Sequence, residues 1–172
     1  MSAFVVYESL WGNTAAIAHA IGEGIGEGTV VGHTGEIDPE EGLNASLLVV
    51  GAPVHSFNLP TEASKQAVAE RRLAPGDLSP DISQPTLRQW LNALPHGNAV
   101  AAAFDTRVKG PLGHGGASRI EKVLAARGYR IADRGRGFLI ADTKNVKAAA
   151  TMLRPGELDR AREWGKLLAF RA

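Results

Sequence analysis

Apolar and polar positions along the chain fall into blocks of two kinds. Residues 3–7 are a continuous apolar run and residues 46–50 a strongly apolar one after Ser46, the pattern of strands buried on both faces of a sheet. Residues 13–27 carry Ile17, Ile21 and Ile25 at every fourth position, with Ala18 and Ala20 beside them. That spacing predicts a helix with one apolar stripe, weakened in its second half by Gly22, Gly24, Gly26 and Gly28. Residues 29–33 predict a second strand. After Gly51-Ala52-Pro53, residues 61–72 predict a helix with Thr61 as N-cap. Residues 74–85, with Pro75, Pro80 and Pro85, predict a loop. Residues 86–94 predict a helix stopped by Pro95, and residues 99–104 a fourth strand set by its polar flanks. A helix over 117–126 ends at Gly128. A fifth strand is split into 129–132 and 138–141, with Gly135 and Gly137 allowing a bend. The last helix, 157–170, turns Leu158, Ala161, Gly165 and Leu168 inward.

Apolar strands alternating with amphipathic helices predict an α/β fold: a three-layer α/β/α sandwich around a five-stranded parallel sheet. The expectation is one domain over 1–172 with an extended connection at about 54–85. Ligands of such folds sit outside the carboxyl ends of the strands. Here those ends are 7–14, 51–59 and 105–116, all rich in Gly and polar residues.

Composition narrows the chemistry. The chain has no cysteine, which removes disulfides, thiolate nucleophiles and cysteine-held metals. The five histidines have no zinc-like spacing, so no metal is expected. A net charge of +1 without a basic stripe argues against nucleic acid. There is no secretory pattern and no apolar run long enough to span a membrane, so the expectation is a cytoplasmic protein.

The stretch Glu8-Ser9-Leu10-Trp11-Gly12-Asn13-Thr14 joins a buried strand to a helix. Such a turn aims backbone N–H groups and the positive end of a helix dipole at one point, and Ser9, Asn13 and Thr14 add side-chain donors. No Lys or Arg occurs before Lys65, and the triphosphate motif G-x-x-x-x-G-K-[ST] is absent. Two readings stand: a neutral cradle for a monophosphate, or a plain turn with Ser9 or Thr14 as N-cap. A phosphoacceptor receiver is excluded, because Gly51-Ala52-Pro53 supplies no Asp at the end of strand three.

Ser9-Leu10-Trp11-Gly12-Asn13-Thr14 behind an apolar strand resembles the phosphate loop of flavodoxins, Ser/Thr-x-x-Gly-Asn-Thr. Val49-Val50-Gly51-Ala52-Pro53 resembles the family's third strand leading into its first flavin loop. Phe104-Asp105-Thr106 with the Gly-rich 110–116 stretch falls where the second would be. The resemblance implies strand order 2-1-3-4-5, an order known for flavodoxins themselves and not read from spacing. It implies FMN as cofactor, its phosphate on Ser9, Leu10, Trp11, Gly12, Asn13 and Thr14. The isoalloxazine would lie between Pro53, Val54, His55, Ser56 and Phe57 on one side and Asp105, Thr106, Arg107, Gly113, His114 and Gly115 on the other. His55 and Phe57 are the candidates for the face of the ring, with Trp11 beside them. The implied function is electron transfer, or flavin-dependent reduction of a small acceptor, with a redox partner protein or that acceptor as partner. This chain departs from the family in having Val54 where a Thr is common, and in carrying Arg107, Lys109 and His114 where electron-shuttling flavodoxins are acidic. Those departures leave a second possibility, a flavodoxin fold that has lost FMN and acts as an interaction domain.

Overall fold

The computed structural model describes residues 2–55, 58–110, 115–141 and 146–172. Its elements in chain order are β1 (Ala3–Tyr7), α1 (Asn13–Ile25), β2 (Val30–His33), a 3-10 turn (Pro39–Asn44), β3 (Leu47–Pro53), α2 (Glu62–Ala69), α3 (Leu87–Ala93), β4 (Val100–Val108), α4 (Gly116–Ala126), β5 (Arg130–Ile131), β6 (Arg136–Ile140) and α5 (Glu157–Arg171). All pairings between these strands are parallel, in the order β2-β1-β3-β4-β5. This is the α/β architecture and the order that the flavodoxin resemblance implies.

The sheet has six strands where five were expected. The two halves of the split fifth strand are separate strands on the same neighbour. β5 pairs with Val100 and Ala101, and β6 with Phe104 to Val108. Between them the Gly135 N–H is held by Glu121 Oε1 at 2.5 Å, which lifts the chain off the sheet edge. β4 runs on through Val108 instead of stopping at Phe104, paired with β3 as far as Thr106 and with β6 as far as Val108, so Asp105, Thr106 and Arg107 are strand residues rather than loop residues. The helices α1 and α2 are shorter than the apolar pattern predicts. α1 stops at Ile25 because Gly26 turns away at φ 115°. α2 ends at Ala69 rather than Arg72.

Each face of the sheet carries its own apolar core. Val6, Leu48, Val50, Ala101 and Ala103 pack under α3 and α4 with Leu87, Trp90, Leu91, Ile120 and Leu124. Val5, Tyr7, Leu47, Val49 and Phe104 pack under α1 and α5 with Ile17, Ile21, Ala161, Trp164 and Leu168. The chain therefore leaves β1 toward one face and, by way of α3, β3 toward the other, which opens a crevice between the loops that follow these strands. No helix among the described residues is long and apolar enough to cross a membrane.

Two glycines set the distance between α1 and α5. A Cβ at Gly24 would overlap the Arg162 carbonyl, and a Cβ at Gly165 would overlap the Ile21 carbonyl. Backbone cannot yield as a side-chain tip can. Gly165→Ala is therefore expected to lower the unfolding free energy by about 1–3 kcal/mol, read by urea denaturation. An unchanged midpoint would show that the helix pair is not in close contact.

Candidate functional site

The crevice is built around the amino end of α1. Gly12, in the left-handed region at φ 83°, reverses the chain just before the helix, and no side chain caps it. The Gly12 N–H donates to Ser9 Oγ at 3.1 Å. The N–H groups of Leu10, Trp11, Asn13, Thr14 and Ala15 find no acceptor among the described residues. The other helices are closed differently. α2 and α3 carry capping boxes, Thr61 with Ser64 and Thr86 with Gln89. Asp105 Oδ2 accepts from Ala117 N in the first turn of α4 at 2.8 Å, and α5 has Glu157 and Asp159 in its first turn. Among the described helices α1 alone has neither a capping side chain nor an acid there.

Of the residues with these open N–H groups, all but Ala15 border a cavity of about 140 Å³. Ser9, Leu10, Trp11, Asn13 and Thr14 line one side of it, and Pro53, Val54, His55 and Thr106 the other. The Thr14 and Thr106 hydroxyls bond each other at 2.7 Å across the floor. Among the described residues no Lys or Arg lines the cavity. The structure thus brings together nine of the residues singled out in the sequence, with Gly12 supplying the bend. Three others stand elsewhere. Gly115 is the left-handed cap of α4. Asp105 is fully buried and pairs with the Arg107 Nε at 2.5 Å, so the Arg107 charge is set against a carboxylate. Ser56, Phe57, Gly113 and His114 lie outside the described residues.

Two distant segments frame the loop. Asp81 N donates to Leu10 O at 2.8 Å and Ala150 N to Trp11 O at 2.9 Å. Met152 N donates to Asn13 Oδ1 at 3.1 Å, and Ser9 N donates to Gln84 Oε1 at 3.3 Å. The segments also join each other, Leu78 N to Val146 O at 2.6 Å and Lys147 Nζ to Asp77 Oδ1 at 2.5 Å. A Cβ on Gly12 would come within 2.9 Å of the Ala149 Cβ, so this framing requires glycine there for space as well as for backbone angle.

Sequence reasoning missed the polar cluster behind the loop. Glu8 and Lys65 are each 1 % exposed. Glu8 Oε2 accepts the Leu87 N–H at 2.8 Å, while Oε1 has no partner among the described residues. Burial pushes the Glu8 carboxyl from 4.5 up to about 7, against the opposing pull of the Leu87 N–H and Lys65. The Lys65 ammonium bonds the Gln84 carbonyl, which anchors α2 to the turn that holds Ser9. A Glu closing an apolar strand was the available signal for Glu8. Nothing in the sequence of α2 marks Lys65 as buried. His55 is lowered below the ordinary histidine value by burial and then by the Arg71 charge, so it lines the cavity as a neutral imidazole.

No protein-family model and no curated protein matches the chain. Solved structures do. A flavodoxin from the domain Archaea superposes with a TM-score of 0.63 at 20 % identity, over 99 % of this chain and 97 % of that one. Flavodoxin 2 from Bacillus cereus gives 0.64 at 15 % identity, with 100 % of both chains covered. A flavodiiron core from Synechocystis gives 0.59 at 15 % identity, with 99 % of this chain matching 35 % of that one. The chain has the flavodoxin-like fold.

The Glu8 geometry fixes a pH dependence. A folded-state pKa raised above the unfolded value means the fold favours the protonated carboxyl. That contribution is complete below about pH 4.5 and is lost as pH rises through about 7. Relative to Glu8→Gln, the unfolding free energy of the wild-type chain is expected to fall by roughly 3 kcal/mol between about pH 4.5 and pH 8. Parallel stability curves for the two proteins would show that the carboxyl is solvated.

Proposed function

We propose that residues 1–172 form one flavin-binding domain that holds FMN by its phosphate in the cradle of Ser9 to Thr14. On this reading it serves as a redox protein, passing electrons to a partner protein or reducing a small acceptor. The observation that carries the reading is the open amino end of α1. Among the described residues, five backbone N–H groups at this end find no protein acceptor, four of them belong to residues that line a small cavity, and no cationic side chain lines it. A buried donor without a partner costs about 1–3 kcal/mol, and an anion at a helix amino end removes that cost. The volume of about 140 Å³ is below the ~300–1,000 Å³ of pockets that enclose a whole organic ligand. It suits the phosphate end of a larger molecule whose ring lies outside, between the 53–58 and 105–116 segments.

The residues present fit such a group. Ser9, Asn13 and Thr14 offer hydroxyl and amide donors without net charge, and the Thr14–Thr106 bond ties the cradle to β4 beneath the proposed ring position. FMN, when bound, supplies the one- and two-electron chemistry. The chain's part is to set the charge around it. His55 is neutral, and Asp105 offsets Arg107, so the surroundings are less positive than the sequence implies.

A second reading is favoured by a different observation. The Ser9 and Gly12 N–H groups and the Thr14 hydroxyl already have partners inside the protein. A cradle this far satisfied by its own chain would suit a fold that has lost FMN and serves as an interaction domain. Titration of the ligand-free protein with FMN separates the two. The expected result is quenched flavin fluorescence. Asn13→Ala and Thr14→Val are expected to weaken FMN by about tenfold or more and riboflavin by about twofold or less. Equal losses for both ligands would remove the phosphate assignment, and failure of the wild-type chain to take up FMN would leave the second reading.

A further inference from the structure

Trp11 is a wall of two compartments. Beyond it, a groove of about 360 Å³ is lined by Trp11, Val54 and His55, which also border the anion cavity, and by Ala67, Val68 and Arg71 along and just past α2. The groove is within the ~300–1,000 Å³ range of small-molecule sites. Its surface is mixed: an indole, two valines and an alanine supply the apolar part, and His55, Ser64 and Arg71 the polar part. The Ser64 hydroxyl is engaged with the Thr61 backbone in the capping box of α2.

Among the described residues that line the groove, Arg71 carries the charge. The Arg71 guanidinium makes no hydrogen bond or ion pair with a side chain among the described residues, and the neighbouring imidazole of His55 is neutral. A guanidinium presents parallel N–H groups that match a carboxylate in bidentate geometry. An indole offers a flat surface for an aromatic ring. We infer that the groove between Trp11 and α2 is a second binding site, for a planar aromatic carboxylate whose ring lies against Trp11 and whose carboxylate meets Arg71. Only the use of such a ligand, as a reaction partner of a bound flavin, rests on the flavin reading; its binding does not.

Calorimetric titration with 2-naphthoate tests this in the ligand-free and the FMN-saturated protein. The expected result is binding to both forms with dissociation constants within about threefold of each other, and binding of neutral 2-naphthylmethanol about tenfold or more weaker. Arg71→Gln is expected to erase the preference for the carboxylate, and Arg71→Lys to keep part of it. Trp11→Ala is expected to weaken both naphthyl ligands alike. The inference is overturned if 2-naphthoate does not bind, if the wild-type protein does not distinguish the two ligands, or if Arg71→Gln changes nothing. It is also overturned if FMN displaces 2-naphthoate, since the flavin ring itself would then occupy the groove. A protein that binds 2-naphthoate and not FMN keeps this site and loses the flavin reading.

Discussion

The uncapped first turn of α1 is the constraint around which this end of the sheet is arranged. A helix that buries its amino end must find acceptors for its first N–H groups. This chain supplies them for α2, α3 and α4 and leaves them out for α1. The omission depends on Gly12, whose positive φ places the turn where a capping side chain would otherwise stand. It is matched by the chemistry behind the loop. A carboxylate next to this site would compete with any anion for the same donors. Glu8 is the nearest acid in sequence, and it is buried so deeply that it holds its proton up to about pH 7.

The rest of the fold keeps the two sides of the crevice apart. β1 hands the chain to α1 on one face, and the elements after β3 return to the other. The loops after these strands therefore face each other across a gap instead of packing together. The Thr14–Thr106 hydroxyl pair closes the bottom of that gap. The close approach of α1 to α5 through Gly24 and Gly165 holds α1 down on its own face.

What was legible in the sequence is what local pattern determines. The apolar runs of β1 and β3, the stripe of α1 and the Gly-Asn-Thr turn are each contained in a few residues, and the structure has all of them. The extension of β4 was not legible, because it depends on partners distant in sequence, β3 as far as Thr106 and β6, about thirty residues later, as far as Val108. Arg107 looked like a free charge for the same reason. Its position on a strand, where i and i+2 share a face, puts it beside Asp105. Lys65 sits in a helix whose composition reads as solvated, and only the docking of the 81–84 turn buries it. At the site, the loop itself was readable. Two of the four bonds by which the framing segments reach it run from backbone to backbone, and such bonds carry no sequence signal.

Those backbone bonds have a kinetic meaning. The carbonyls of Leu10 and Trp11 are each held by an N–H from a different distant segment, and the two segments hold each other through Val146 and Lys147. For the loop to swing open, bonds from residues 75–84 and from residues 146–152 must both break, so the amides of the two segments are expected to exchange as one local unit.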